Sequence, residues 1–452
     1  MALIIGPILR GGMFMDGLLY TNISKNMAAG LGSFWHPTLD KGAVFYEHPP
    51  FLFWLESLFF KIMGDHLFIE DIYNLTILFS TIILMYRIWR EIVPKSQRVL
   101  FFFPLLLWLL SQEVQLRYPN TMLECGMTVF LLGTVFVFLK VVKSHPLLAF
   151  IITGFGAFVA ALCKGPAGLF VLALPTLYHF FIKKRLTIQG LLIPVLAIAT
   201  CFTLLFLVSP DALSFFQQYF DQQVLAALKG ERIENIADSR FAFLKGIIFL
   251  NLPAIAVSLI LAWSKPREKT PSFKEGLLLI SLGISAVLPL IMTIKQATYY
   301  QLPALPFLAL GTALLLTNRV EKIYTYFLAK SQPQFILTAI GSIALVGSSL
   351  LALSMVGTID RRDRLNVSRA DTISRIMEEA KVDTYNFLTI GDDGGFSLPM
   401  YYPITGHLNR RHNIQYDSSQ RSIFTLLILQ DERTPLPNKK VVFQDSKVVL
   451  VR

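Results

Sequence analysis

The chain has 452 residues, of which 54% are hydrophobic and 16% charged, with a mean hydropathy of +0.56. A soluble domain carries about a quarter charged residues, so this composition belongs to the membrane class and excludes an intrinsically disordered chain. Cys125, Cys163 and Cys201 are too few for a disulfide framework; lying in apolar runs, they read as small buried hydrophobes.

In chain order, only MALIIGPIL precedes Arg10. Such a stretch rises ~14 Å as a helix, about half of a ~30 Å hydrocarbon core. It lacks the basic n-region and cleavage site of a signal peptide. The expectation is that Met1 lies inside the first span, with about 10–20 more apolar residues encoded upstream; a short interfacial helix is the alternative. Residues 10–66 mix charge, aromatics and Pro. Within them, residues 16–30 have helical spacing with Leu18, Leu19, Ile23 and Met27 on one side, and residues 51–63 form an apolar stretch carrying Glu56 and Lys61. Both suit amphipathic helices lying along the outer surface of a membrane.

Apolar runs long enough to cross a bilayer follow at about residues 69–89, 98–116, 121–139, 147–163, 165–182, 190–208, 246–263, 276–294, 297–317 and 333–357. One set of loops carries Arg87, Arg90, Lys95, Arg98, Lys140, Lys143, Lys183, Lys184, Arg185, Lys265, Arg267, Lys269, Lys274, Arg319, Lys322 and Lys330. The alternate short loops carry little more than Arg117, Lys164 and Lys295. The positive-inside rule makes the first set cytoplasmic. Residues 10–66, residues 209–245 and the C-terminal tail then lie outside. The loop cations also take up much of the net charge of +11, leaving little for nucleic acid to explain. Residues 358–452 change in character: RADTISRIMEEAKV reads as a helix, and TYNFLTIG, RSIFTLLIL, KVVFQD and KVVLVR read as strands. The expected fold class is an all-α polytopic membrane protein of about 10–11 spans, residues 1–357, followed by a small extracytoplasmic α/β domain, residues 358–452.

Charges on the outer side are candidates for function, because insertion topology predicts few there. Asp16, in GGMFMDGLLY, can act as a general base toward a hydroxyl at the membrane face, or as the N-cap of a helix. Glu47 and His48 precede Pro49–Pro50 and could bind a divalent metal if another segment supplied a further ligand, or serve a loop that positions the next helix. Arg117, Asn120 and Glu124 lie in LRYPNTMLECGM; Asn120 and Glu124, four apart, would share a helix face, and Glu124 needs a partner such as Arg117 or a cationic substrate group. Lys164 in ALCKGPAGLF and Lys295 in MTIKQATYY, the latter beside Tyr299 and Tyr300, suit a phosphate at headgroup depth or ordinary snorkelling to lipid. The chain contains no G-x-x-x-x-G-K-[ST], H-E-x-x-H or G-x-S-x-G motif.

The order Asp16, Tyr20, NISKNMAAGLGSFWHP, YEHPP, FLFWL, CKGPAGL and YYQLPALP resembles the polyprenyl-phosphate-sugar-dependent glycosyltransferases of the GT-C clan. It is most similar to the protein O-mannosyltransferase-like group and the lipid A aminoarabinose transferases. The resemblance spans about residues 10–310. It implies a catalytic role for Asp16 and substrate contacts for Tyr20, Glu47, His48, Arg117, Asn120, Glu124, Lys164, Lys295, Tyr299 and Tyr300. It further implies a metal-ligand role for Glu47, with no other cofactor required. Gly17 stands where the group has a second acid, and His48 where it has Lys. The implied partners are a polyprenyl-phosphate-linked sugar donor, a lipid, glycan or protein acceptor, and membrane lipid. The implied setting is a bacterial inner membrane with the active site outside. The rival class is a polytopic transporter or lipid flippase, whose polar groups would lie near mid-membrane on broken helices.

Overall fold

The structure, a computed structural model, describes residues 2–40, 43–225, 241–263, 270–292, 297–329, 331–390, 398–417, 419, 421–429 and 439–452. The chain forms two compact units. One comprises Met1–Ile5, Tyr46–Leu52 and Asn74–Ser354; the other comprises Gly6–Phe45, Phe53–Tyr73 and Met355–Arg452.

The first unit is helical. Its long elements are α4 (Ile69–Ile92, entering from the other unit), α7 (Leu123–Val141), α8 (Pro146–Lys164), α10 (Gln189–Val208), α14 (Phe273–Met292), α15 (Leu305–Leu328) and α16 (Ser331–Met355). Among the described residues, six helical stretches are long and apolar enough to cross a membrane, or eight if each bent pair is one span. One of the six, Pro146–Phe181, folds back on itself: the ring of Phe150 in α8 lies 5.3 Å from that of His179 in α9 (Leu174–Phe181). The two apolar runs expected at 147–163 and 165–182 are therefore a hairpin. Large apolar side chains remain exposed along the outside of this unit, with Leu207 at 75% and Val208 at 83%. That is the pattern of helices solvated by lipid. Inside, helices approach through small residues: a Cβ on Gly154 would lie 2.4 Å from the Pro194 carbonyl oxygen, so α8 and α10 meet backbone to backbone.

Two expected straight spans are bent. The run at 98–116 is a 3-10 turn (Lys95–Phe101) and α5 (Phe102–Leu109), followed after a 77° bend by α6 (Gln112–Arg117) and a further 3-10 turn (Tyr118–Asn120). The bend falls at Ser111, whose backbone is extended, where the sequence turns from FFPLLLWL to QEVQLR. A straight continuation would carry Glu113 and Arg117 along the helix axis; the break lets a short separate helix aim them sideways. The run at 246–263 is α12 (Ala242–Leu250) and α13 (Leu252–Trp263), bent by 71° at Asn251 before Pro253. Asn251 turns its side-chain amide to Gln301 Oε1, 2.7 Å away, and so braces the turn Thr298–Gln301.

The second unit combines residues 6–45 and 53–73 with the C-terminal residues. Its sheet has the order β4 (Gln415–Tyr416), β3 (Thr384–Ile390), β5 (Thr425–Leu429), β7 (Val448–Val451), β6 (Val441–Asp445). β3 is parallel to β4 and β5, and β7 is antiparallel to β5 and β6. Every residue of β5 and β7 is buried, which is why TLLIL and VVLV read as continuous apolar runs rather than alternating ones. α17 (Arg364–Glu379) presents Ala370, Ile373 and Met377 to this core, and α18 (Leu398–His412) adds Ile404 and Leu408. A small hairpin, β1 (Thr38–Asp40) and β2 (Ala43–Val44), lies in the loop segment.

α2 (Met15–Ala28) realises the helix expected from residues 16–30, and its apolar stripe is buried; so is its polar side, with Asn22, Ser24, Lys25 and Asn26 all buried. The reason is that α18 and its flanks supply polar partners. Asn22 Nδ2 donates to Tyr402 Oη (3.1 Å) and to the Gly406 carbonyl (3.0 Å), and Lys25 Nζ donates to the carbonyl of Asn409 in the last turn of α18. A cation at a helix C-terminus satisfies orphan carbonyls and complements the dipole. Arg410 fixes the same corner, donating to Glu70 Oε2 (2.6 Å), Asp65 Oδ1 (2.8 Å) and the His66 carbonyl (2.6 Å). Arg410 is almost fully buried, so replacing it by Met strands the Glu70 carboxylate. Arg410→Met should destabilise this unit by ~3–5 kcal/mol, read as a lower midpoint in thermal unfolding of the detergent-solubilised protein; an unchanged midpoint would show the network is idle.

Glu56, in α3 (Phe51–Met63), is 1% exposed and accepts hydrogen bonds from Thr21 Oγ1 (3.0 Å) and Ser24 Oγ (2.7 Å). Burial pushes its carboxyl up to about 8, against the hydrogen bonds that favour the charged form. The folded pKa lies above the unfolded one, so this group's stabilisation is fully present below about 4.5 and is lost as pH rises through about 8. Thermal midpoints measured from pH 6 to 9 should therefore fall more steeply for the wild-type chain than for Glu56→Gln. Parallel curves would show that Glu56 is ionised throughout.

Candidate active site

The site in the first unit starts from α6. Its two charged residues are four apart, and Arg117 Nε donates to Glu113 Oε2 at 3.0 Å. Thr298 Oγ1 donates to the other carboxylate oxygen of Glu113, tying α6 to the 3-10 turn that carries Tyr299 and Tyr300. The guanidinium carbon of Arg117 lies 4.8 Å from the Tyr299 ring centre. Lys164, the last residue of α8, lies with Nζ 5.5 Å from the ring centres of both Tyr299 and Tyr300, and forms an ion pair with Glu124. Lys164 and Glu124 are 7% and 1% exposed, so this is a buried pair. Cation–π contacts within ~6 Å hold the two cations against the tyrosine faces. Four expected side chains, Arg117, Lys164, Tyr299 and Tyr300, thus meet at one place, with Glu124 behind Lys164.

The same cluster extends to the YEHPP segment. Tyr46, next to Glu47, stacks at a tilt on Phe215 (5.5 Å) in α11 (Pro210–Tyr219), and the Tyr219 hydroxyl lies against Gly165, the neighbour of Lys164. Glu47 and His48 are half-buried on that loop. Asn120 is placed differently from expectation. Thr121 is left-handed (φ 47°) and Met122 is extended, so the helix that carries Glu124 begins only at Leu123 and the two residues share no helix face. Asn120 instead donates to the Leu116 carbonyl, and Thr121 N–H to Asn74 Oδ1 (3.1 Å), which closes α6 and turns the chain. Lys295 lies outside the described residues.

Asp16 and Tyr20 are on α2 in the second unit. The N-cap position belongs to Phe14, and Asp16 lies within the first helical turn, where the dipole favours a carboxylate. The capping role weighed for Asp16 is therefore not the one it fills. The approach to this turn is fixed by pairing: Gly11 N–H donates to the Thr358 carbonyl and Asp360 N–H to the Gly11 carbonyl, both at 2.7 Å. Gly12 takes φ +98°, and a Cβ there would lie 2.9 Å from Asp363 Oδ2. Tyr20 is buried with its ring 5.6 Å from that of Phe53.

Among the described residues, no three His, Cys, Asp or Glu side chains gather as metal ligands. Among the described residues, Glu47 and His48 thus join no third such side chain, and no chemical step below passes through a metal. Sequence reasoning gave no role to Glu113, Thr298 or Tyr219. For Glu113, its i, i+4 spacing to Arg117 was the signal that could have paired them; nothing local in the sequence marks Thr298 or Tyr219.

Residues 47–212 match the sequence profile of the dolichyl-phosphate-mannose-protein mannosyltransferase family. A search of curated protein sequences gave no significant match. Among solved structures, the chain is similar to ArnT from Cupriavidus metallidurans bound to undecaprenyl phosphate, with a TM-score of 0.64 and 15% identity over 100% of this chain and 95% of that one. The apo state of the same protein gives a TM-score of 0.62 at 15% identity with the same coverage. The archaeal oligosaccharyltransferase AglB from Archaeoglobus fulgidus is more distant, with a TM-score of 0.46 and 11% identity over 93% of this chain and 64% of that one. The fold is thus that of ArnT, and the profile match falls on the segment that holds Glu47, His48, Arg117, Glu124 and Lys164. Residues 47–212 thus carry a mannosyltransferase-family profile within a multi-pass membrane fold similar to that of ArnT.

Proposed function

We propose that the protein moves a sugar from a polyprenyl-phosphate carrier to an acceptor hydroxyl at the extracytoplasmic face of a bacterial inner membrane. The observation that carries this reading is the cation–tyrosine cluster of Arg117, Lys164, Tyr299 and Tyr300, with Lys164 buried and the other three half-buried, at the ends of apolar helices. A phosphate monoester needs cations at headgroup depth, and a carrier tail that stays in lipid brings the chemistry to the membrane. The bound undecaprenyl phosphate of the similar ArnT structure supports the same carrier class.

In this reading the acceptor oxygen attacks the anomeric carbon from the face opposite the phosphate, and the bond to the phosphate oxygen breaks. The acceptor proton passes to Asp16, the configuration inverts, and polyprenyl phosphate leaves with its charge stabilised by Lys164. Arg117 and the tyrosine faces orient the same group. Stabilisation of developing charge by fixed groups is commonly a large catalytic contribution. Glu113 holds Arg117 in place, and Glu124 does the same for Lys164. A transporter is not favoured, because the profile match is to a transferase family.

The test is to supply membranes containing the chain with a panel of polyprenyl phosphates labelled in different sugars. One label should appear on a lipid, glycan or protein acceptor. If none moves while the chain is present at normal level, the reading fails. The orientation is tested separately: a reporter active only in the cytoplasm, fused after Arg452, should stay silent.

A further inference from the structure

α11 is a short helix with a defined start and a rigid end. Ser209 Oγ accepts from Ala212 N–H at 3.3 Å, and Pro210 occupies the first turn. Phe215 is buried against Tyr46, and Phe216 stands edge-on to Tyr219 with ring centres 6.2 Å apart. Tyr219, the last residue, is 5% exposed, and its ring is therefore fixed. Its hydroxyl lies so close to Gly165 that a Cβ there would be 1.9 Å from it. Gly165 has φ +65°, so no other residue fits that turn easily and none would leave room for the hydroxyl. The residue before it is Lys164.

A buried tyrosine hydroxyl usually finds a hydrogen-bond partner. Tyr219 makes no hydrogen bond to another described residue; it packs against the Phe216 ring and Gly165. Burial pushes its hydroxyl up to about 12, so it remains a protonated donor at any physiological pH. A fixed O–H donor thus stands against the backbone of Gly165, the residue after Lys164, on an element that the sequence marks only as part of a long loop.

We propose that Tyr219 is a substrate-binding residue whose hydroxyl donates a hydrogen bond to the phosphate of the lipid-linked donor, beside Lys164. This rests on the function proposed above. The hydroxyl would hold one phosphate oxygen by direction while Lys164 supplies charge, a division that fits the point-charge character of lysine.

The experiment uses the full chain purified into lipid nanodiscs, wild type and Tyr219→Phe, titrated with undecaprenyl phosphate and with undecaprenol. Removing a hydrogen bond to a charged group should weaken undecaprenyl phosphate binding ~10- to 100-fold. Undecaprenol, which has no phosphate, should bind both forms alike. The thermal midpoint without lipid should not change, since no bond within the protein is lost. Equal undecaprenyl phosphate affinities for the two forms would overturn the proposal. So would an equal loss for undecaprenol, or a Tyr219→Phe protein already destabilised without lipid, because each makes the hydroxyl structural. If the wild-type chain itself fails to bind undecaprenyl phosphate, the carrier reading falls and this proposal with it, which separates the two failures.

Discussion

Asp16→Asn should leave the protein in the membrane at its normal level and lower sugar transfer by ~10²–10⁴, the usual cost of losing a general base. The structural cost should be small. Asp16 lies in the first turn of α2 and is not the N-cap, so Asn forfeits no cap, and the charge–dipole interaction it loses is worth ~0.3–1 kcal/mol. The helix is held by much more than that: Asn22 and Lys25 on its polar side are bonded to α18, and its apolar stripe is buried. Transfer by labelled donor, normalised to protein in the membrane, is the readout. Glu47→Gln and Glu124→Gln measured in parallel identify the base by exclusion. If Asp16→Asn retains near-normal transfer while Glu124→Gln abolishes it at normal protein level, the base is in the other cluster.

Glu124→Gln should have the largest effect on stability. It leaves the Lys164 ammonium buried without its carboxylate partner, and stranding one member of a buried pair costs ~3–5 kcal/mol. The tyrosine faces return only ~0.5–2 kcal/mol through cation–π attraction. The single variant should therefore unfold at a clearly lower temperature. Glu124→Gln combined with Lys164→Met removes both charges and should recover much of the lost stability, while transfer by this double variant should be lost with the Lys164 cation. Additive destabilisation in the double variant would show that the two side chains are not coupled.

Much of this was legible in the sequence. The ten apolar runs correspond to helices or bent pairs, because lipid demands long apolar segments and composition alone reports them. The C-terminal helix at Arg364–Glu379 and four strands followed from local periodicity. What stayed hidden depends on contacts distant in sequence. α18 carries Pro399, Pro403 and Gly406, which argue against a helix locally; it forms because Ile404 and Leu408 enter the sheet's core and Asn22 and Lys25 bond its backbone. The bend at Ser111 was masked by an apolar run that continues almost to it. Within the site, Arg117, Glu124 and Lys164 were identifiable because charge beside apolar runs is costly and therefore conspicuous, and Tyr299 and Tyr300 because they follow Lys295. Their pairing was not: Lys164 with Glu124 joins residues 40 apart, and Glu113 with Thr298 residues 185 apart. Asn120 misled because spacing of four implies a shared face only within an unbroken helix, and Thr121 breaks it.

The central claim is that a bond to a lipid phosphate is broken, which separates a transferase from a flippase. The direct measurement is therefore the free polyprenyl phosphate released when the purified chain, in nanodiscs with a suitable acceptor, is given a polyprenyl-phosphate-linked sugar labelled in both halves. The expected result is release of polyprenyl phosphate in equal amount to sugar transferred, with both signals lost in Asp16→Asn. Movement of intact donor across or within the bilayer, with no release of polyprenyl phosphate from any sugar in the panel, would contradict the account.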